Sequence, residues 1–279
     1  MRRSLLSTRA ARWLPAGLVL VSGGALALAD ARSSQTRSAQ APVACRQQTI
    51  AAARYRVCEI APGAVPRLQL VARDGTGRAV QWISRVDELV RARGERLLFA
   101  TNAGLYESVD SATGLLVADG GRTYSRLNRL PGPPNPCRVA NFYCPPNGVF
   151  FVSGGRAAVL STADFAARPA SAAALRLATQ SGPMLVRRGR LAPSFAPTAT
   201  SRKVRNGVGV RADGTVVFVI SDTRVTFYEL ATAFRDTLRC PDALFLDGEI
   251  SQMYTGGTHL PPRGRGFAAV FAVTEAAGR

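Results

Sequence analysis

The sequence predicts a single α+β domain, built on a large mixed or mostly antiparallel β-sheet with two or three helices. Three observations favour this class. From Tyr55 onward, apolar runs of strand length recur between glycine-containing turns. Only two longer stretches carry the capping residues and apolar stripe of a helix. No break in composition divides residues 45–279, so one domain of about ten strands is expected there.

The N-terminal part of this domain is predicted to hold a hairpin followed by a helix. The hairpin is indicated by two runs and the turn between them: Arg67–Arg73, Asp74-Gly75-Thr76-Gly77 and Arg78–Ile83. Ser84 is a helix-capping residue type, and Asp87 three positions later completes a capping pattern. Gly94 is typical of a position just after a helix, so the helix is expected to run through Arg93.

Strands in the middle of the chain are predicted from short apolar runs. They are Leu97–Thr101, Gly114–Ala118, Val149–Val152, Ala157–Leu160, Leu175–Thr179 and Met184–Arg187. The proline-rich stretch Pro131–Pro146 interrupts this series and is expected to be a loop.

The C-terminal part repeats the pattern of a hairpin followed by a helix. The hairpin and later strands are Val204–Val210, Thr215–Ile220, Ala243–Leu246 and Phe267–Val273, with Ala212-Asp213-Gly214 turning the hairpin. Thr226 is expected to cap the helix, with Glu229 at the box position. The helix then carries an apolar stripe of Phe227, Leu230, Ala231, Phe234 and Leu238.

The first 29 residues are typical of an export signal. Four arginines precede an apolar run, Leu14–Ala29, that ends in the cleavage-type sequence Ala27-Leu28-Ala29. This run is shorter than the roughly 20 apolar residues that a membrane span needs. We therefore expect a signal peptide at 1–29, a disordered linker at 30–44 and the domain at 45–279. The mature protein is then periplasmic or secreted, without a stable membrane span.

Five cysteines agree with an oxidising compartment. The pairs Cys45 with Cys58 and Cys137 with Cys144 each flank a short segment and suggest two small disulfide loops. Fifteen arrangements of two disulfides and one free thiol are nevertheless compatible with the sequence. Cys240 is expected to be a buried thiol rather than a nucleophile, because no neighbouring group would lower its pKa.

The formal charge of +18 does not by itself indicate a nucleic-acid partner. Lys203 is the only lysine among 36 basic residues, and the arginines are scattered rather than clustered. No basic stripe with interleaved aromatic residues is present. Nucleic acid is therefore not expected as a partner.

Five short polar motifs occur where apolar strands end. They are Asn102-Ala103-Gly104-Leu105-Tyr106, Pro146-Asn147-Gly148-Val149-Phe150, Gln180-Ser181-Gly182-Pro183-Met184, Arg205-Asn206-Gly207-Val208-Gly209 and Leu246-Asp247-Gly248-Glu249-Ile250-Ser251. Glycine allows close backbone approach and sharp turns, so each motif can present N–H groups and short polar side chains. Together they predict strand ends that converge on a polar pocket.

The residue inventory excludes several kinds of catalysis. His259 is the only histidine and no Gly-x-Ser-x-Gly motif is present, so a serine triad is not expected. Catalytic zinc and two-metal sites usually need several histidines. No cofactor and no catalytic metal are expected, although a structural metal held by Asp and backbone oxygens stays open. Carboxylate, arginine and backbone chemistry remain.

Arg205 and Asp247 are the candidate catalytic residues. Arg205 lies beside Asn206-Gly207 in a strand of buried type, where an unpaired guanidinium is costly, so an anionic partner is expected. That partner is either a carboxylate or a ligand phosphate. An Arg205–Asp247 ion pair that only orders the sheet is the structural alternative, and Asn102 and Asn206 could be simple turn formers. The Ser181-Gly182 turn could bind an oxyanion through its N–H groups.

The same motifs, in this order from Leu97 to Phe271, resemble those of the phosphodiester glycosidase family. Asp247, Gly248 and Ser251 match the family's Asp-Gly-Gly-x-Ser pattern, and Glu249 departs from its second glycine. The resemblance implies hydrolysis of a sugar-1-phosphodiester at the glycosidic bond, giving free sugar and a phosphomonoester. The expected substrate is a sugar-phosphate small molecule or an envelope or extracellular polysaccharide.

The resemblance also implies roles for individual residues. Arg205 would clamp the phosphate, and Asp247 would activate water or attack the anomeric carbon. The substrate-binding positions would be Asn102, Gly104, Ser181, Gly182, Asn206, Gly248 and Ser251. A non-catalytic envelope module that binds anionic glycans in the same pocket is the alternative function.

Overall fold

The computed structural model describes residues 41–129, 134, 137, 140–169, 172–257 and 266–278. The predicted signal peptide, most of the predicted linker and His259 lie outside these residues. Among the helices described, none is long and apolar enough to cross a membrane.

Antiparallel pairing builds every sheet in the described part of the chain. The largest sheet has the order β1 (Ala44–Ile50), β2 (Ala53–Ile60), β15 (Val216–Ser221), β14 (Asn206–Val210), β16 (Asp242–Asp247), β12 (Met184–Arg187) and β13 (Arg190–Leu191). A five-stranded sheet has the order β10 (Arg156–Ser161), β9 (Gly148–Ser153), β11 (Leu175–Ser181), β7 (Leu116–Ala118) and β8 (Arg122–Ser125).

Two smaller sheets complete the β-structure. One has the order β17 (Met253–Tyr254), β4 (Glu95–Asn102), β18 (Val270–Ala276) and β3 (Leu68–Val71), and the other pairs β5 (Tyr106–Ser108) with β6 (Ser111–Ala112). The described strands outnumber the expected ten, mainly because several of them have only two or three residues.

Short helices pack around these sheets. The α-helices are α1 (Ile83–Ala92), α2 (Thr162–Ala166) and α3 (Phe227–Thr232), and 3-10 turns occupy Pro62–Arg67 and Asn141–Tyr143. Thr226 and Glu229 form the predicted capping box of α3, which continues as a π-helical turn at Ala233–Thr237. The α+β class with a large, mostly antiparallel sheet is therefore confirmed.

The predicted cap of α1 is wrong. The helix begins at Ile83, so Ser84 lies inside its first turn, and Trp82 occupies the N-cap without a side-chain hydrogen bond. Burial of Ile83, Val86 and Val90 holds the helix against the sheet instead. The predicted end is correct, since Gly94 has a φ of 72°.

The first predicted hairpin forms only next to its turn. Strand β3 pairs with β18, and the segment after the turn forms only isolated bridges, Arg73 to Ala79 and Gln81 to Phe267. The Asp74 carboxylate accepts the N–H groups of Thr76 and Arg78, which closes a tight turn. The chain then enters α1 after too few residues for a second strand.

Both expected disulfides are present. Cys45 and Cys58 join β1 to β2, and Cys137 pairs with Cys144. Cys240 is a free, buried thiol, and burial raises its pKa to about 12. This agrees with the prediction that it is not a nucleophile.

The central core lies where three sheets meet. Phe218 of β15 contacts Phe99 of β4, Phe150 of β9 and Phe271 of β18, with ring centroids 5.0–5.9 Å apart. All four rings are fully buried. This packing holds together the three sheets whose strand ends carry the polar motifs.

Candidate active site

Four of the predicted site residues occupy strand termini that converge. Asn102 ends β4, Ser181 ends β11, Asp247 ends β16 and Asn206 begins β14. Because β14 and β16 are antiparallel, Asn206 and Asp247 are directly paired in the sheet. With Ser251, which follows β16, these residues form what we call the polar cluster. The four at strand termini are at most 5% exposed.

Asn206 joins the largest sheet to the sheet that contains β4. Its Nδ2 donates to Asn102 Oδ1 at 2.9 Å and to Thr101 Oγ1 at 3.2 Å. Asn102 Oδ1 also accepts from the N–H of Gln252 at 3.0 Å, and Asn102 Nδ2 donates to the Ala103 carbonyl at 3.1 Å. The two asparagines therefore lie in strands and fix each other's amides, which is not the simple turn-forming alternative.

Asp247 is held by the turn that follows it. Its Oδ1 accepts the N–H groups of Glu249 at 2.6 Å and Ile250 at 2.8 Å. Burial raises the pKa of Asp247, and the backbone N–H groups offset part of that rise. Ser251 Oγ lies 3.0 Å from the Asp247 carbonyl and 3.3 Å from Asn206 Oδ1. The carboxyl is thus oriented by its own loop and adjoins the asparagine pair.

Ser181 approaches the cluster through tight backbone contacts that need glycine. Ser181 Oγ donates to the Leu246 carbonyl at 3.4 Å. A Cβ at Gly104 would lie 2.9 Å from the Ser181 Cβ and 2.7 Å from the Gln180 carbonyl oxygen. A Cβ at Gly182 would lie 2.7 Å from the Phe142 carbonyl oxygen. Both glycines therefore allow strand ends to meet at distances that no side chain would permit.

Arg205 lies beneath the Asp247 loop, and its guanidinium is held by neutral groups. The residue is 1% exposed. Its Nε donates to the Val225 carbonyl at 3.0 Å and its Nη2 to the Ser201 carbonyl at 3.3 Å. The guanidinium carbon is 3.8 Å from the centre of the Phe227 ring. Burial lowers the pKa of Arg205 to about 10, so the group is still a cation at neutral pH.

A carboxylate partner for Arg205, one of the two anions that the sequence left open, is not observed. Within the described ranges, no acid lies within 4 Å of its guanidinium, so an Arg205–Asp247 ion pair does not order the sheet. Two carbonyls and an aromatic face supply the stabilisation that the sequence led us to assign to an anion. Its Nη1 is buried without a hydrogen-bond partner in the described structure, and a Cβ at Gly248 would lie 3.2 Å from it. A phosphate-clamping role for Arg205 stays a prediction.

Sequence reasoning missed the structural role of Gln180. Its Oε1 accepts the N–H groups of Leu115 and Asn128 at 3.0 and 2.9 Å. Its Nε2 donates to the Asn128 carbonyl at 2.8 Å and to Thr162 Oγ1 at 3.0 Å. This side chain thereby fixes β11 just before Ser181. Its place inside a conspicuous motif was the available signal.

Other acids near the motifs face solvent. Glu249 is paired with Lys203 and its side chain is 73% exposed, and Glu107 on β5 is exposed. Asp247 is therefore the buried carboxylate of the polar cluster. In the described residues, no three His, Cys, Asp or Glu side chains are grouped in a way that could hold a metal ion.

The fold and the cluster define an antiparallel α+β domain with a buried carboxylate and amides at converging strand ends. Residues 95–274, more than half of the chain, match the family model described as phosphodiester glycosidase. The chain belongs to the phosphodiester glycosidase family.

The chain is also similar to particular proteins in sequence or in fold. The chain is 32% identical over 174 residues to the uncharacterised protein YigE of Escherichia coli K12, covering 62% of this chain and 64% of that protein. The fold is similar to the catalytic domain of zebrafish N-acetylglucosamine-1-phosphodiester α-N-acetylglucosaminidase, auto-inhibited by its pro-peptide, with a TM-score of 0.51 and 14% identity. That similarity covers 83% of this chain and 81% of the zebrafish chain. A hypothetical protein from Synechocystis has a TM-score of 0.47 at 15% identity, covering 84% of this chain and 62% of that one.

Proposed function

We propose that this protein is an exported hydrolase that cleaves the glycosidic bond of sugar-1-phosphodiesters. The products are the free sugar and a phosphomonoester. The observation that supports this most directly is the polar cluster, because the family's separate sequence motifs supply its members. The name of the zebrafish relative points to the same class of bond.

The chemistry of the leaving group fits a site with one buried carboxylate. A phosphomonoester has a second pKa of about 6, so it departs as an anion with little need for a general acid. Asp247 would attack the anomeric carbon or activate water, and would stabilise the positive charge that develops on the sugar. Its raised pKa and fixed orientation suit a group that exchanges a proton or charge during reaction.

The neighbouring groups would bind the substrate. Asn102, Asn206, Ser181 and Ser251 would hydrogen-bond sugar hydroxyls or phosphate oxygens, exchanging present bonds for bonds to the ligand. Arg205 Nη1 is the donor available for the phosphate, and it would become reachable when the loop at Gly248 moves. These roles require the Asp247–Ser251 loop to open, since the cluster is buried in the described structure.

Export to the periplasm or the medium completes the proposal. The N-terminal sequence has the pattern of a cleaved signal. Two disulfides support a compartment in which thiols are oxidised.

A panel of sugar-1-phosphodiesters tests the proposed reaction, with reducing sugar and phosphomonoester measured separately. At least one substrate should release both products in equal amounts. Asp247→Asn should lower kcat by about 10³-fold, as expected for loss of a nucleophile or base. Asp242→Asn is the matched control, because Asp242 lies on the same strand, is partly buried and also has a pKa raised by burial. Full activity in Asp247→Asn would remove the mechanism.

The second candidate is a non-catalytic module that binds anionic glycans. A cavity whose lining includes Arg187, Arg188 and Arg190 favours it, because guanidinium groups bind anions without any catalytic step. Tight binding of a phosphodiester glycan, with no sugar released from any panel member, would select this function.

A further inference from the structure

An arginine-rimmed groove lies next to the polar cluster. Its volume is about 760 Å³, and its apolar floor includes Leu191, Ala192 and Pro193. Arg187, Arg188 and Arg190 form its rim. We call this surface the arginine groove. Apolar contact below and guanidinium groups above are suited to a ligand that carries both sugar rings and anions.

The groove lies close to the polar cluster along the chain, because Met184 in its lining follows Ser181 by three residues. Met184 at its near end follows Gly182 by two positions and donates its N–H to the Pro146 carbonyl at 2.7 Å. Pro146, which also lines the groove, precedes Asn147, whose Cβ would lie 2.9 Å from a Cβ placed on Gly182. Strand β12 then runs from Met184 to Arg187, about 10 Å at 3.3 Å per residue. A chain leaving the cluster along β12 would reach the arginines.

The rim carries an excess of positive charge. Asp164 lies 3.0 Å from Arg187 and 3.4 Å from Arg188, so one carboxylate serves two guanidinium groups. Asp242 accepts the backbone N–H of Arg188 at 2.9 Å and is partly buried. Arg190 is exposed and forms no ion pair within the described parts of the chain. Arginine binds phosphate oxygens through two parallel N–H groups, so this rim fits phosphodiesters.

We propose that the arginine groove binds the phosphodiester units next to the scissile one, so that the substrate is a sugar-phosphate polymer. This inference rests on the proposed function, because it places the scissile bond in the polar cluster and the following phosphates on the rim. The apolar floor contacts the faces of the intervening sugars. A substrate with one phosphodiester fills the cluster alone and leaves the groove empty.

Kinetics on substrates of two lengths test the groove. One substrate has a single sugar-1-phosphodiester, and the other is a trimer of the same repeat with two further phosphates. Arg188→Gln together with Arg190→Gln should raise KM for the trimer about tenfold more than KM for the single phosphodiester. Arg67→Gln with Arg91→Gln removes two exposed arginines elsewhere and should leave that ratio unchanged. A ratio equal to that of this control would overturn the proposal.

Binding measured in an Asp247→Asn background separates this proposal from the proposed function. If no substrate is hydrolysed by the wild type, but the trimer still binds and loses about tenfold affinity in the groove variant, the groove stands and the reaction fails. If the wild type hydrolyses a substrate but the groove variant binds the trimer with unchanged affinity, the proposal for the groove is wrong and the proposed function stands. Equal affinity for a single-stranded oligonucleotide of the same charge would overturn the assignment to a sugar polymer.

Discussion

The polar cluster and the arginine groove are adjacent in the chain and hold their charges in opposite ways. Asp247 is 5% exposed, bonded to two backbone N–H groups and raised in pKa by burial. Arg188 has a side chain that is 74% exposed and shares one carboxylate with Arg187. Ligand binding in the cluster should therefore depend on short, fixed contacts, which dissolved salt screens little because they are buried. The groove depends on solvated charge that salt screens.

Among the predictions that follow, substitution of Arg205 should have the largest effect. Arg205 is an exception to the contrast, because it is a buried cation placed at the cluster. Arg205→Met keeps apolar contact with Phe227 but removes the donors to the Val225 and Ser201 carbonyls. We expect kcat/KM to fall about 10²-fold, while the free energy of unfolding falls by only about 1–2 kcal/mol. Enzyme kinetics and urea unfolding on one preparation measure both quantities.

Arg205→Lys distinguishes a clamp from a structural residue. Lysine keeps a charge but lacks the planar fork, so it should restore part of the activity and little of the stability. Unchanged kcat/KM in both variants, in folded protein, would show that Arg205 only fills space beneath the loop.

Asn206 tests whether the cluster is rigid through its amides. Asn206→Ala deletes the bonds to Asn102 and Thr101 and leaves the buried Asn102 oxygen with one donor fewer. The free energy of unfolding should fall by about 2–3 kcal/mol. Ser251→Ala is the graded comparison, since Ser251 is only partly buried, and should cost about 1 kcal/mol or less. Urea unfolding measures both losses from the shift in midpoint, provided that the dependence of the free energy on urea is unchanged. Equal losses in the two variants would contradict the expected order.

The raised pKa of Asp247 predicts how the stability of the protein depends on pH. Because burial raises its pKa in the folded state, the folded protein binds this proton more tightly than the unfolded chain does. The associated stability is present below the ordinary Asp value near pH 4 and is lost as pH rises through the raised pKa. Asp247→Asn should thus be as stable as wild type at pH 3.5 and more stable at pH 7. A wild type that is more stable than Asp247→Asn at pH 7 would reverse the assigned direction.

The sequence predicted most of the residues that meet in the polar cluster, because strand ends and glycine turns are local features. Asn102, Ser181, Asn206 and Asp247 follow or begin apolar runs, and those runs form the strands that bring them together. The partners of Arg205 were not predictable in the same way. A buried guanidinium calls for compensation, but the carbonyls of Val225 and Ser201 and the ring of Phe227 are brought to it only by the folded loop.

The errors in the fold have a similar cause. Ser84 satisfies the sequence pattern of a cap, yet burial of Ile83 sets the start of α1 two residues earlier, with Trp82 as the N-cap. The run after Asp74 alternates like a strand, but β3 finds its partner in β18, about 200 residues later in the chain. In both cases, tertiary packing overrides the local sequence pattern, and a local pattern carries no information about that packing.

A change in salt concentration should have the smallest effect on KM, but it compares the groove with the cluster most directly. The Debye length falls from about 10 Å at 0.1 M salt to about 4–5 Å near 0.5 M, so attraction between exposed arginines and distant phosphates weakens while contacts inside the buried cluster persist. Raising NaCl from 0.1 to 0.5 M should increase KM for the trimer severalfold and change kcat little. KM for the single phosphodiester should rise less, since it reaches only the cluster. The Arg188→Gln, Arg190→Gln variant should lose the difference between the two substrates, and an undiminished difference would place the salt-sensitive contact outside the groove.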